Sequence, residues 1–149
     1  MAKRKPLPPS YFLLSIALIG ITHFTLPIAI LIYFPWNLTG CVLLAFGIYL
    51  NLAADKQMKQ RQTTVKPFEN SSYLIEDGMF AITRNPMYLG MAAILTGIAI
   101  LLGSLTPFIV CFFFSYAIYH IFIRAEEKML EKVFGQQWLN YKKKVRCWL

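Results

Sequence analysis

Six polar residues of this 149-residue chain stand at the edges of long apolar runs. Arg84, Asn85 and Tyr88 open one run, and Arg124, Glu126 and Glu127 close another. Between them they offer fixed cations, carboxylates, an amide and an aromatic ring. Arginine pairs with carboxylate or phosphate, glutamate with ammonium or hydroxyl groups, and an aromatic face with a soft cation. A ligand that uses the whole set carries both signs of charge.

The elements that position these residues follow from hydropathy. With 57% hydrophobic residues, 15% charged residues and a mean hydropathy of +0.51, the chain is too apolar for an ordinary soluble domain. No Lys, Arg, Asp or Glu occurs between Lys5 and Asp55, or between Arg84 and Arg124. Each block is about twice the ~20 residues that one membrane-spanning helix needs. Each is therefore predicted to be a two-span hairpin. Phe34-Pro35-Trp36-Asn37 breaks the first block and Gly103-Ser104-Leu105-Thr106-Pro107 the second. The expected spans are residues 11–34, 38–54, 87–102 and 108–123.

The fold class is thus all-α integral membrane: four transmembrane helices as two hairpins, plus a cytoplasmic C-terminal amphipathic helix. The chain reads as one membrane domain. It comprises an N-terminal hairpin (1–54), a cytoplasmic segment (55–85), a second hairpin (86–123) and a cytoplasmic tail (124–149). Every Lys and Arg falls in the N-terminal tip, in residues 55–84 or in the tail. With an even number of spans, the retention of basic residues on the cytoplasmic side places both termini in the cytoplasm. The expected location is the inner (plasma) membrane. The net charge of +8 becomes a one-sided basic face suited to anionic lipid. Nucleic-acid binding is set aside for so apolar a chain.

Other features are read as structural. The basic tip and apolar stretch at the start are too long for a cleaved signal and lack a small-x-small site, so a retained anchor is expected. Cys41, Cys111 and Cys147 show no metal-type spacing, and Cys147 is misplaced for a prenylation box. No metal is expected. His23 and His120 are each isolated, which favours hydrogen-bonded packing; His120, one turn before Arg124, is the better functional candidate.

Polar chemistry is therefore confined to the cytoplasmic rim. Residues 55–62 continue the second span as a helix, and the following stretch, with turn formers Asn70, Ser71, Ser72, Asp77 and Gly78, is expected to fold back over the membrane surface. In the tail, Met129, Leu130, Val133 and Phe134 form an apolar helical stripe. Gly135 interrupts it before Trp138 and Tyr141. Gly90, Ala93 and Gly97 on the third span permit close helix approach. Because the last two spans form a hairpin, their polar ends should meet. S-Adenosylmethionine suits that cluster, as do phospholipid headgroups and nucleotides.

The order of these residues resembles the isoprenylcysteine carboxyl methyltransferase and phospholipid methyltransferase superfamily, over roughly residues 72–149. That superfamily has an Arg-His-Pro-x-Tyr-x-Gly pattern, then a hairpin, a Glu-Glu pair, Phe-Gly, an aromatic and a Tyr before a basic end. Here these are Arg84-Asn85-Pro86-Met87-Tyr88-Leu89-Gly90, Glu126-Glu127, Phe134-Gly135, Trp138 and Tyr141. The resemblance implies a membrane methyltransferase that uses S-adenosylmethionine, releases S-adenosylhomocysteine and has no Rossmann domain.

It also implies a cofactor site shaped by Arg84, Asn85, Tyr88, Gly90, Glu126 and Glu127. Arg124 joins by location, and Arg84, Asn85 and Arg124 are the candidates for a catalytic role. Asn85 departs from the family's His and can hydrogen-bond but not titrate. The expected acceptor is a lipid or a lipidated or small lipophilic molecule, presenting a carboxylate, a thiol or a phospholipid amine. A homodimer is compatible with the small-residue faces. The rival readings are a non-catalytic membrane scaffold with a lipid-binding basic tail and an NADPH-dependent membrane reductase of related fold.

Overall fold

The computed structural model describes residues 7–61 and 73–149. Lys3, Arg4 and Lys5, and the turn formers Asn70, Ser71 and Ser72 with their expected fold-back, lie outside the described residues. Among those described, six α-helices make the fold: α1 Pro8–Thr25, α2 Gly40–Gln60, α3 Pro86–Leu102, α4 Leu105–Ile118, α5 Arg124–Phe134 and α6 Gln136–Lys144. Among the described residues, extended backbone pairs only at an isolated bridge between Ile30 and Ser104.

Two helices are long and apolar enough to cross a membrane, Trp36–Gln60 and Leu105–Phe134; Pro86–Leu102 is apolar but shorter. Leu105–Phe134 is continuous because a π-helical turn, Tyr119–Ile123, joins α4 to α5. That wider turn brings Ile118 and Ile123, both fully buried, onto one face.

The first helix is shorter than residues 11–34. It stops at Thr25 because Pro27 forces Leu26 out of the helical region, to φ −142° and ψ 60°. The chain then runs extended to the break at Pro35. Its polar backbone is satisfied by the α3–α4 turn: Leu31 N and Ile32 N donate to Gly103 O at 2.7 and 3.1 Å, and Leu105 N donates to Ala29 O at 2.9 Å. Gly103 sits at φ +73°, a left-handed turn that favours glycine. His23 Nδ1 lies 2.7 Å from the buried Ser104 Oγ, fastening the end of α1 to the same turn.

Helix pairing keeps the second expected hairpin, α3 against α4, but not the first: the most extensively packed pair is α2 with α3, while α1 packs on α4 and α3. The reason lies in four glycines spaced seven apart on each helix and matched antiparallel, Gly40 with Gly97 and Gly47 with Gly90. A Cβ at Gly47 would stand 2.6 Å from Gly90 O, and one at Gly97 would stand 2.8 Å from Gly40 O. The backbones meet directly, a contact that only glycine allows. Against the other side of α3, Ile19, Leu95, Ala99, Phe114, Ile118 and Phe122 form the main apolar core.

The seam makes a stability prediction. The atoms a new side chain would strike are backbone carbonyls, which cannot rotate aside. Gly47→Val and Gly97→Val should each destabilise the bundle by about 1–3 kcal/mol of overpacking. Thermal unfolding in detergent checks this; an unchanged midpoint for both variants would contradict the seam.

Candidate active site

The site lies where the basic ends of the helices converge. Pro86 opens α3 at a first-turn position, where its missing N–H matters little, with Asn85 as the residue before it. The glutamates come from the first turn of α5. The preceding 3₁₀ turn, Gly78–Ala81, is held to α2 by Gln57. Its Nε2 donates to Asp77 O at 2.7 Å, and its Oε1 accepts from Met79 N at 3.1 Å.

Arg84 is central, with a side chain only 8% exposed. Its Nε and Nη2 donate to Glu127 Oε1 at 3.1 and 2.6 Å. Its Nη1 donates to Val145 O at 2.6 Å and to Lys142 O at 3.2 Å, carbonyls at the end of α6. The guanidinium also lies 5.9 Å from the centroid of the Trp138 ring. Lys142 Nζ reaches the other oxygen of Glu127 at 3.0 Å. Glu127 is thus neutralised by protein cations.

Glu126 has a different environment. It accepts a 2.6 Å hydrogen bond from Tyr88 Oη, and among the described residues no cation is placed on it. It lies past Ile123, the end of the apolar stretch. Burial pushes its carboxyl up to about 7, opposed in part by the hydrogen bond from Tyr88. Glu126, Tyr88, Asn85 and Arg84 line a cleft of about 130 Å³. Met58, Met87, Met91 and Phe80 supply apolar lining, with Pro8 and Pro9 from the start of α1.

The other expected members fall elsewhere. Gly90 faces α2, where an added Cβ would meet Gly47 O at 2.8 Å; it shapes the packing behind the cleft. Arg124 is exposed and outside the cleft lining, its Nη1 3.5 Å from His120 Nδ1. The apolar stripe of α5 is divided: Leu130 and Phe134 pack on the buried cluster of Leu74, Trp138 and Tyr141, while Val133 is exposed. Tyr141 Oη donates to Phe80 O at 2.6 Å, tying α6 to the cleft wall.

Sequence reasoning gave no role to Thr83, Lys142 or the backbone of residues 145–147. Thr83 is 1% exposed, and its hydroxyl donates to Cys147 O at 3.1 Å. No spacing rule links residues 64 positions apart through a backbone carbonyl.

The family model for phospholipid methyltransferases matches residues 36–137, more than half of the chain. The chain belongs to the phospholipid methyltransferase family. It is therefore a membrane methyltransferase of a lipid-modifying family. No curated protein and no solved structure matches it significantly. The matched region begins at Trp36, so it takes in α2 and its glycine seam. It ends one residue before Trp138.

The two glutamate contacts differ in what they contribute. Removing one partner of a buried ion pair leaves the other charge uncompensated, at about 3–5 kcal/mol, whereas an exposed partner contributes about 0–1 kcal/mol. Glu127→Ala should therefore lower unfolding stability by about 3 kcal/mol, and Lys142→Ala, 40% exposed, by less than about 1 kcal/mol. Thermal unfolding of the two variants checks the ranking; equal losses would contradict it.

Proposed function

We propose that the protein is an S-adenosylmethionine-dependent methyltransferase that methylates a lipid-borne amine at the cytoplasmic face of the inner membrane. On this reading α1 and α3 complete four spans with α2 and α4, and the shared basic end faces the cytoplasm. Glu126 carries the reading. It is a half-buried carboxylate at the lip of a cleft, while the neighbouring cations Arg84 and Lys142 are already held by Glu127. Such a carboxylate favours a cationic ligand and opposes an anionic one. That charge logic supports an amine over the carboxylate of an isoprenylcysteine-type acceptor.

S-Adenosylmethionine, when bound, supplies an electrophilic methyl group on a positively charged sulfur. The charge of the cleft suits it, and so does the aromatic ring of Tyr88. The volume of about 130 Å³ suits an amino-acid-sized part of it, since sites for drug-sized ligands begin near ~300 Å³. Met58, Met87 and Met91 have the flexible side chains that let such a cleft widen. Tyr88 and Glu126 are assigned to the ligand, Arg84 and Asn85 to the wall, Glu127 to holding Arg84, and Gly90 to the packing behind.

An alkylammonium has no free lone pair, so it must lose a proton before nitrogen can attack. Glu126, with its carboxyl near neutrality, is suited to accept that proton. The freed lone pair would be the nucleophile for the methyl group that the cofactor would supply, with the sulfur as the neutral leaving group. Tyr88 holds the carboxylate in place, and the apolar walls exclude water.

The test uses the protein in vesicles containing phosphatidylethanolamine, with S-adenosylmethionine labelled in the transferred methyl group. Label should appear in the lipid headgroup. Glu126→Gln should lower kcat by about 10²–10⁴-fold with a smaller change in KM for S-adenosylmethionine. Because only ionised Glu126 accepts a proton, wild-type kcat/KM should fall as pH drops through about 7, and the variant should lose that limb. Label recovered as base-labile methyl ester would overturn the amine acceptor. Undiminished turnover in Glu126→Gln would overturn the proton-accepting role, and no turnover on any acceptor would favour a scaffold.

A further inference from the structure

The segment after α6 crosses the start of α3 in an ordered way. Three successive carbonyls accept hydrogen bonds from three successive residues. Val145 O accepts from Arg84 Nη1 at 2.6 Å, and Arg146 O accepts from Arg84 N at 3.0 Å. Cys147 O accepts from both Thr83 Oγ1 at 3.1 Å and Asn85 Nδ2 at 3.0 Å. Cys147 and Trp148 also pack on the apolar core that contains Tyr88 and Phe122.

This pairing engages groups expected to serve a ligand. Asn85 is the N-cap residue of α3 but makes no capping hydrogen bond, since its amide is turned to Cys147. A guanidinium has five N–H donors. Those of Arg84 make four hydrogen bonds to Glu127, Lys142 and Val145. Tyr88 and Glu126 remain free to face a ligand in the cleft.

We propose that residues 145–147 are a strap belonging to the cofactor site, latched by Thr83, Arg84 and Asn85, and that Thr83 and Asn85 are positioning residues acting through it. This rests on the reading that the cleft takes S-adenosylmethionine. The strap backs the wall formed by Arg84 and Asn85, and so fixes the separation of that wall from Tyr88 and Glu126. Where the family pattern has His, this chain uses an amide to hold its own backbone.

Two substitutions open the latch while keeping side-chain size. Asn85→Asp replaces the donor with an acceptor facing Cys147 O, and Thr83→Val removes the hydroxyl. Asn85→His restores one N–H donor. Asn85 Nδ2 also donates to Cys147 Sγ at 3.5 Å and favours its thiolate, so Cys147 reports on the strap cleanly in Thr83→Val, where that contact is kept and burial, which raises the thiol pKa, slows alkylation while the strap is closed. Cys111, buried in the bundle, reports on global unfolding.

The experiment measures N-ethylmaleimide alkylation of each cysteine by peptide mass spectrometry, together with methyl-transfer kinetics, on the full chain in lipid nanodiscs. Thr83→Val should speed Cys147 alkylation by up to about tenfold, as expected for one lost hydrogen bond. Cys111 should stay protected. In Thr83→Val, KM for S-adenosylmethionine should rise by a similar factor with kcat nearly unchanged, as when uniform binding is lost. Asn85→Asp should raise KM as well, and Asn85→His should hold it near the wild-type value. Unchanged Cys147 alkylation in Thr83→Val, or faster alkylation with unchanged KM, overturns the strap. Failure of the wild type to bind S-adenosylhomocysteine by calorimetry overturns the cofactor reading and the strap's role in that site.

Discussion

A guanidinium that is 8% exposed has to find acceptors inside the protein, and this requirement organises the basic end of the bundle. Arg84 takes them from two places, Glu127 at the start of α5 and the carbonyls at the end of α6. Those carbonyls need donors, because the last turn of a helix leaves them without intrahelical partners. One side chain therefore satisfies a carboxylate and a helix terminus together. It also joins three parts of the chain that are distant in sequence: the entry to α3, the glutamate pair and the tail.

That junction needs a rigid base, which the glycine seam provides. Gly47 and Gly90 hold α2 against α3 by backbone contact, and Gln57, farther along α2, fixes the turn that leads into Arg84. Tyr141 then ties α6 to Phe80 in that turn, and Trp138 packs beneath the guanidinium. Packing within the bundle and hydrogen bonding at its rim form one connected support. The family match, which begins at the α2 segment, covers both ends of the seam.

Much of this was legible in the residues. The charge-free blocks, the breaks at Pro35 and Gly103, and the start of α3 at Pro86 all follow from hydropathy and from the backbone limits of Pro and Gly. Pro27 was an available signal for the end of α1, outweighed by the unbroken apolar run around it. Helix partners were harder, since periodicity names a buried face but not what covers it; the equal spacing of Gly40 and Gly47 with Gly90 and Gly97 could have suggested the pairing. Thr83 and the carbonyls of residues 145–147 were out of reach, because backbone acceptors leave no mark on residue type. Arg84 and Arg124 looked alike at the edges of their runs, and only the fold separates a buried, hydrogen-bonded guanidinium from an exposed one.

The same reasoning divides two neighbouring glutamates that the sequence presents as a pair. Successive residues on a helix point about 100° apart, so Glu126 and Glu127 meet different surroundings. Glu127 meets Arg84 and Lys142 and is paired within the framework. Glu126 meets a phenol and apolar side chains, so its charge is left for a ligand to complete. If Arg84 were free to reach Glu126, the cleft would be neutral and indifferent to a cation. By holding Arg84, Glu127 leaves Glu126 as the cleft's one carboxylate, and the structural ion pair and the charge of the site become two outcomes of the same contact.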